Sequence, residues 1–561
     1  QRNYTISNTA EETNVQILDV TGRIGVGYLR LVYPRQFNFD NQRAFTFEIE
    51  ASDQVKYLEI ENFNTGNANP VLYDLTNGLR IEATVENGLV RIKIPPSFQQ
   101  RAFILINTQN GFTAVNQLQP ITFQNFANTD AEFIIISNKR LYDDGNGNNW
   151  VAAYEQYRAS EAGGSYRTLV VDVDDLYEQF AYGLSRHPLS IRNFAHFVNA
   201  RGDSGTQRNV FIIGKGWVFT QVRRNLRDDA IFYVPTFGNP GSDNLLLSEP
   251  GTNVPIFPIG RLAASTPEDI RIYLEKVQGH ENFDLNDERN RAWRKEVLHL
   301  GGGGSVGEQN AIRSRLNQMK SILEKSAYGA NVTSFFKTST EVIQETPPEE
   351  LTEMINLGVG IVTIFGHGGT DTFDFSIDDP SSYENENRYH VFFSLGCNNG
   401  NFHFKPGGAL DRSASEDYVL EPNKGAIAFI ASSGFGVLSP LALMQSEYYR
   451  QLGAPENIGL GIGEVLRKMA RQLESPNLDP VTRAHLQQYS LHGDPAIKII
   501  PYDAPDYVIE RGSVNFSPTV IDTRQDSLSV LFNVLNLGKS IEDSLLLKID
   551  RKLPDESVLP L

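Results

Sequence analysis

The chain has almost no cysteine: one, Cys397, in 561 residues. A single thiol excludes an internal disulfide and with it the disulfide-stapled class of secreted folds. Positive charge is also short, with 50 Lys and Arg against 68 Asp and Glu and a formal net charge of −18. Nucleic acids and anionic lipids are held by clustered cations, so neither is an expected partner. Long apolar runs are absent too. The nearest, 425–444, is diluted by Ser432, Ser433, Gly434, Gly436 and Pro440, so no membrane-spanning segment is expected. None of the nine histidines has metal-ligand spacing with a second His or Cys. No catalytic metal and no required cofactor are expected. Asp371, Asp374, Asp378 and Asp379 form an acidic stretch without EF-hand order; it reads as a solvated loop, with a structural Ca²⁺ as the alternative. No signal peptide precedes Gln1, which predicts a mature or trimmed product.

What is present describes a multidomain globular chain: 40% hydrophobic and 21% charged residues, at a length that calls for several cores. Residues 1–130 show short alternating runs separated by Asn, Gly and Asp clusters, which predicts a β-sandwich. Residues 131–290 and 291–502 alternate apolar strands with amphipathic helices, which predicts an α/β domain in two subdomains, with mostly parallel sheets covered on both faces. Thr266, Pro267, Glu268 and Asp269 spell a helix start. Ile312, Leu316, Met319 and Leu323 mark one buried helix face. A strand at Ala496–Ile500 is expected to close the set. Residues 503–561 return to β patterning, the start of an immunoglobulin-like domain too short to be complete, so either further chain is expected to follow or the missing strands come from elsewhere.

In an open parallel sheet, ligands bind beyond the carboxyl ends of the strands. Two expected strands, Val359–Phe365 and Val391–Leu395, end in Gly366-His367-Gly368-Gly369 and Gly396-Cys397-Asn398-Asn399-Gly400. The only thiol and a glycine-flanked imidazole thus stand 30 residues apart, each just past a core strand. Cysteine attacks as the thiolate, and an imidazole that takes its proton can later protonate a leaving amine. The backbone N–H groups of Gly368 and Cys397 are candidate oxyanion donors. A loop rich in glycine, Gly301–Ser305, is read as lining the same cleft.

These signatures resemble those of the gingipain-type cysteine peptidases of family C25. Ile259-Gly260-Arg261-Leu262, the stretch from Gly425 to Ser433 followed by Leu438-Ser439-Pro440, and Gly493-Asp494-Pro495 are similar in order and spacing, over roughly 131–500. The resemblance implies a caspase-like α/β fold, with Cys397 as nucleophile, His367 as general base and acid, and Gly368 and Cys397 forming the oxyanion hole. Gingipains carry an acid that orients the histidine just after the strand matching Glu296–Leu300. Here that place holds the glycine run, and Glu308 is the candidate substitute. Lys215 stands in a Gly-x-Gly where many relatives have Asp. No counterpart of the gingipains' acidic specificity residue is evident, so cleavage after Arg or Lys is not implied. Ser432, Phe435 and Val437 are the candidate substrate-binding residues of an apolar wall.

The stretch Gly27-Tyr28-Leu29-Arg30-Leu31-Val32-Tyr33-Pro34-Arg35 and the domain order resemble the PorU-type sortases of the type IX secretion system of Bacteroidetes. That resemblance implies a cell-surface, outer-membrane-associated endopeptidase that removes the C-terminal sorting domain of secreted cargo, with transpeptidation as well as hydrolysis open to its thioester. Cargo proteins and other outer-membrane components of the secretion machinery would be its partners. The alternative is a catalytically impaired module that docks cargo or those components.

Overall fold

The computed structural model describes residues 33–111, 120–126, 129–202, 205–224, 231–282, 292–341, 349–406, 411–500, 502–509, 511–520, 527–541, 544–553 and 555–560. Most of the Gly27–Arg35 stretch lies outside these residues. The chain divides into two compact units, 1–120 and 121–561.

In the first unit, β1 (Asn38–Gln42), β3 (Lys56–Phe63), β7 (Leu89–Ile94) and β6 (Thr84–Glu86) form one four-stranded sheet. The strands β2 (Ala44–Ile49), β8 (Arg101–Ile106), β4 (Val71–Asp74) and β5 (Leu79–Glu82) form a second. Alternation drives both: Leu58 and Ile60 on β3 and Val90, Ile92 and Ile94 on β7 turn inward and join Leu72, Phe103 and Leu105 of the other sheet in one core. Asn87 and Gly88 both take positive φ between the paired residues Glu86 and Leu89, the two-residue hairpin connection that Asn-Gly favours.

In the second unit the described residues build a ten-stranded sheet. Its strands are β9 (Phe133–Ser137), β10 (Thr168–Asp172), β11 (Asn209–Ile213), β12 (Ile259–Leu262), β13 (Glu296–Gly301), β14 (Asn331–Phe336), β15 (Ile361–Phe365), β16 (His390–Leu395), β17 (Ala426–Ser432) and β18 (Tyr489–His492), in the spatial order β10-β9-β11-β12-β18-β17-β16-β15-β13-β14. Every residue of β9, β15, β16 and β17 is buried. Successive side chains point to opposite faces, so both faces are covered. The helix Val306–Glu324 buries Ile312, Leu316, Met319 and Leu323, as their spacing predicts. Thr266 caps the helix Pro267–Glu281 in a reciprocal box with Asp269.

Two features differ from the sequence expectation. The last strand is Tyr489–His492, and 496–500 carries no strand. Ala496, Ile497, Ile499 and Ile500 are buried in the core all the same, because Gly493 at φ +138° turns the chain out of the sheet and Ile462 N–H bonds to the Ile497 carbonyl. The two α/β sets also share one sheet and one core. They meet at β12 and β18 through the single register pair Arg261 and His492. The strand β18 runs parallel to β12 and antiparallel to β17, so strand direction reverses between β18 and β17, one strand beyond this seam. Arg261 is buried there, with Asp243 at 2.7 and 2.8 Å and the carbonyls of Gly214, Val234 and Pro235 within 3.0 Å. Beyond residue 502 the described residues form three two-stranded pairings.

Candidate active site

Around β13 the strand order changes side: the chain leaves β13 for β14 on one flank and returns to β15 on the other. Such a switch point opens a crevice beyond the carboxyl ends of the strands. Gly301 pairs with Phe365 and Phe365 with Leu395, so the ends of β13, β15 and β16 are level. His367 and Cys397 each stand two residues past this row, on strands about 4.8 Å apart. The glycine run after β13 leads into the helix whose first turn holds Glu308.

Glu308 reaches back from that turn to the imidazole. Its carboxylate oxygens lie 3.0 and 3.1 Å from His367 Nε2. The Gly304 N–H donates to Glu308 Oε2 at 2.9 Å, and the Glu308 N–H donates to Ser305 Oγ at 3.3 Å. The carboxylate is therefore fixed by the start of its own helix, where negative charge is favoured. With Nε2–H donating to the carboxylate, the neutral ring presents the Nδ1 lone pair. The His367 side chain is 61% exposed and that of Glu308 28%, so the pair faces an open cleft.

The Cys397 thiol is half-buried. The Gly436 N–H donates to its sulfur at 3.2 Å. The Gly368 N–H and Cys397 N–H have no partner among the described residues. For Gly368 the reason is local: Asp374 N–H bonds to the His367 carbonyl and Gly369 N–H to the Thr372 carbonyl. The Gly368–Phe373 bridge is thus a non-hydrogen-bonded pair.

A family model described as Peptidase family C25 matches residues 126–500. The chain belongs to this family. No curated protein matches the chain by sequence. Among solved structures, the complex of the pro- and mature domains of Porphyromonas gingivalis RgpB is 15% identical, with 68% of this chain and 82% of that one covered at a TM-score of 0.49. The Arg-specific cysteine proteinase gingipain R (RgpB) is 17% identical, with 68% and 81% covered at 0.49.

In this C25 chain the expected substrate-binding residues fall into two environments. Phe435 and Val437 are 79% and 46% exposed beside the thiol. Ser432 is fully buried instead, still within the ladder opposite Tyr489 and accepting from the Gly400 N–H. The wall that Phe435 and Val437 form is clamped from behind by the helix Pro480–Gln488. The Val437 N–H donates to His485 Nε2 at 2.8 Å, His485 Nδ1–H donates to the Val481 carbonyl at 2.7 Å, and Gln488 Nε2 donates to the Phe435 carbonyl at 2.6 Å. This helix was not anticipated, although Asp479-Pro480 carries the N-cap and first-turn proline that announce it.

The acidic stretch after His367 is put to structural use in the C25 site. Asp374 is buried and accepts the Gly303 N–H at 2.7 Å. A Cβ on Gly302 or Gly366 would fall 2.1 or 2.2 Å from its Oδ1. The carboxylate therefore fills a slot that two glycines leave open, and it ties the loop leading to Glu308 to the hairpin after His367. Asp378 accepts from Thr352, and Asp379 accepts the Ser381 N–H at 2.9 Å to cap a short 3₁₀ turn. No group of three metal-ligating side chains occurs among the described residues. Lys215 is buried in an ion pair with Glu416, whose carboxylate also accepts the Ser413 N–H at 3.0 Å and hydroxyl at 2.9 Å. Buried Arg158 lies between Asp494 at 2.7 Å and Glu281 at 2.9 Å. This accounts for the Asp of the Gly493-Asp494-Pro495 stretch.

Proposed function

We propose that the chain is a cysteine endopeptidase with Cys397 as nucleophile, His367 as general base and acid, and Glu308 as the carboxylate that orients the imidazole. The observation that carries this reading is the row of strand ends, which supplies the sole thiol and a carboxylate-held imidazole from adjacent strands. His367 Nδ1 takes the thiol proton, and the sulfur attacks the scissile carbonyl carbon. The developing oxyanion is received by the Gly368 and Cys397 N–H groups. His367 returns the proton to the departing amine and a thioester remains. Water or an acceptor amine then attacks the thioester, His367 takes a proton from it, and the thiol is regenerated. No cofactor is needed in this scheme. Phe435 and Val437 favour an apolar or small group beside the scissile bond.

Within that class, the reading that fits best is a sortase of the PorU type, which removes C-terminal sorting domains from type IX secretion cargo at the outer-membrane surface, with other components of that machinery as partners. The Gly27–Arg35 motif supports it, as does the domain order, with residues before the peptidase read as a β-sandwich and those after it as the start of an immunoglobulin-like domain. The docking-module alternative drew on the large β flanks and on the glycine run standing where an acid was expected. Glu308 meeting His367 from the next helical turn weakens the latter motive.

The test is labelling of Cys397 by an electrophilic peptide, together with mass spectrometry of secreted cargo from cells carrying Cys397→Ala. Stoichiometric labelling of the wild type and unprocessed cargo in the variant are expected. Normal processing by the alanine variant refutes the assignment.

A further inference from the structure

Asn399 lies two residues past the thiol and is fully buried. Its Oδ1 accepts from Ser394 Oγ at 2.8 Å, while Nδ2 donates to the carbonyls of Gly369 at 2.6 Å and Thr372 at 2.9 Å. Ser394 belongs to β16, the strand that delivers Cys397. Gly369 and Thr372 belong to the hairpin that His367 opens. One amide group therefore spans the two loops that carry the reacting side chains.

The surrounding backbone is shaped to admit it. A Cβ on Gly368 would fall 2.3 Å from Asn399 Oδ1, and one on Gly396 would fall 2.9 Å from it. The glycine after the histidine and the glycine before the cysteine border the same slot, and the Asn399 side chain fills it. The chemistry of the slot asks for one acceptor and two donors, which a primary amide supplies in a single plane. The opposite amide orientation would set its oxygen against two carbonyls, so the network fixes the orientation.

We infer that Asn399 is a positioning residue that sets the separation and angle between the Cys397 thiol and the His367 imidazole, and that Gly368 and Gly396 are small in order to seat it. The inference rests on the peptidase reading above and adds to it a structural cause for both signature glycines. Asn399 does not touch substrate. It acts by holding two loops in one register, so its loss falls on the chemical step more than on substrate binding.

The experiment uses the full chain and an apolar-site peptide substrate, with unfolding followed for every variant. Wild type and Cys397→Ala are compared first; a wild type without labelling or cleavage refutes the peptidase reading itself. Given wild-type activity, Asn399→Ala is expected to lower kcat by about 100-fold, the scale of an ångström-sized misplacement, with KM within about threefold. Asn399→Asp gives a sharper signature. Its ionised carboxylate opposes two carbonyls, whereas the protonated form again donates to one. Its kcat therefore rises on acidification from about pH 8 to about pH 6, where a thiolate–imidazole pair otherwise loses activity. In Gly368→Ala the new methyl collides with the amide, and Asn399→Ala makes room for it, so the double variant is expected to lose no more than Asn399→Ala alone. Folded Asn399→Ala and Asn399→Asp with wild-type kcat and pH profile, or losses that simply multiply in the double variant, overturn the inference. Should an Asn399 variant not fold, Ser394→Ala removes one of the three bonds with little change in volume, and an unchanged kcat there overturns it equally.

Discussion

Glu308→Gln isolates the proposed orienting role. Gln can still accept the Gly304 N–H that Glu308 Oε2 takes at 2.9 Å, and it suits the third position of a helix that Ser305 caps. What is lost is the charge facing His367 Nε2 at 3.0 Å. Both side chains are partly in solvent, so the pair adds at most about 1 kcal/mol to stability, and a helix-terminal charge contributes a similar small amount. The melting temperature is expected to fall by about 2 °C or less in a chain of this size. Catalysis is expected to suffer more. The glutamine NH₂ donates to Nε2 and so favours the tautomer that places the proton on Nδ1, the nitrogen required to accept the thiol proton. A buried triad loses about 10⁴ in kcat from the equivalent change. An open, solvent-screened pair is expected to lose about 10- to 100-fold, or about 1.4 to 2.7 kcal/mol of transition-state stabilisation. Initial rates on a peptide substrate, with Cys397→Ala as the blank, measure it. Rates for Glu308→Gln and Glu308→Ala equal to wild type would refute the orienting role and leave a self-sufficient dyad.

Three other perturbations probe the scaffold. Asp374→Ala leaves the Gly303 N–H unpaired under the glycine loop; a destabilisation of about 2 kcal/mol with reduced activity is expected in urea titrations and peptide assays, and full activity would show that the loop holds itself. Lys215→Met strands the buried Glu416 charge and is expected to cost about 3–5 kcal/mol, part of which Glu416→Gln restores in the same background; additive losses in urea denaturation contradict the pairing. Burial pushes the Lys276 ammonium down to about 7, where it donates to the Tyr418 and Val419 carbonyls at 3.2 and 2.9 Å. Since the unfolded group titrates near pH 10.4, the unfolded chain holds an extra proton between these values. The destabilisation is thus full below about pH 7, and stability rises with pH above it by on the order of 1 kcal/mol per unit. Lys276→Met removes that slope, and parallel stability curves for the two proteins at pH 7 and pH 9 count against it.

The sequence disclosed the elements whose signals are local. Strands buried on both faces appear as unbroken apolar runs, and a glycine-flanked His and Cys at two such ends located the candidate nucleophile and base. Glu308 was found by position, as the first acid after the glycine run. Residues whose meaning depends on distant partners were illegible. Asp374 reads as one acid among several in a polar loop, and only the packing shows it filling the gap between Gly302 and Gly366. Asn399 lies inside a recognisable signature, yet its partners Gly369 and Thr372 sit on another loop. The 496–500 run was misread as a strand because burial in a core and pairing in a ladder leave the same hydrophobic trace. The real neighbour of β17 is a four-residue strand led by a short helix, too brief for periodicity to find.

That reversed strand has a bearing on how this fold tolerates change. The wall beside the thiol begins where β17 ends, and it is gripped by Gln488 and His485, which the chain reaches only some fifty residues later. Between those two points run the helices Leu438–Gly453 and Ile462–Leu473, an excursion anchored at both of its ends to the same lip of the cleft. An insertion at the turn 475–478, short of the Asp479 cap of the clamping helix, is expected to leave the lip in register. The length of that turn is thus separable from the shape of the lip, because the bonds that hold the lip are made at His485 and Gln488, beyond the turn.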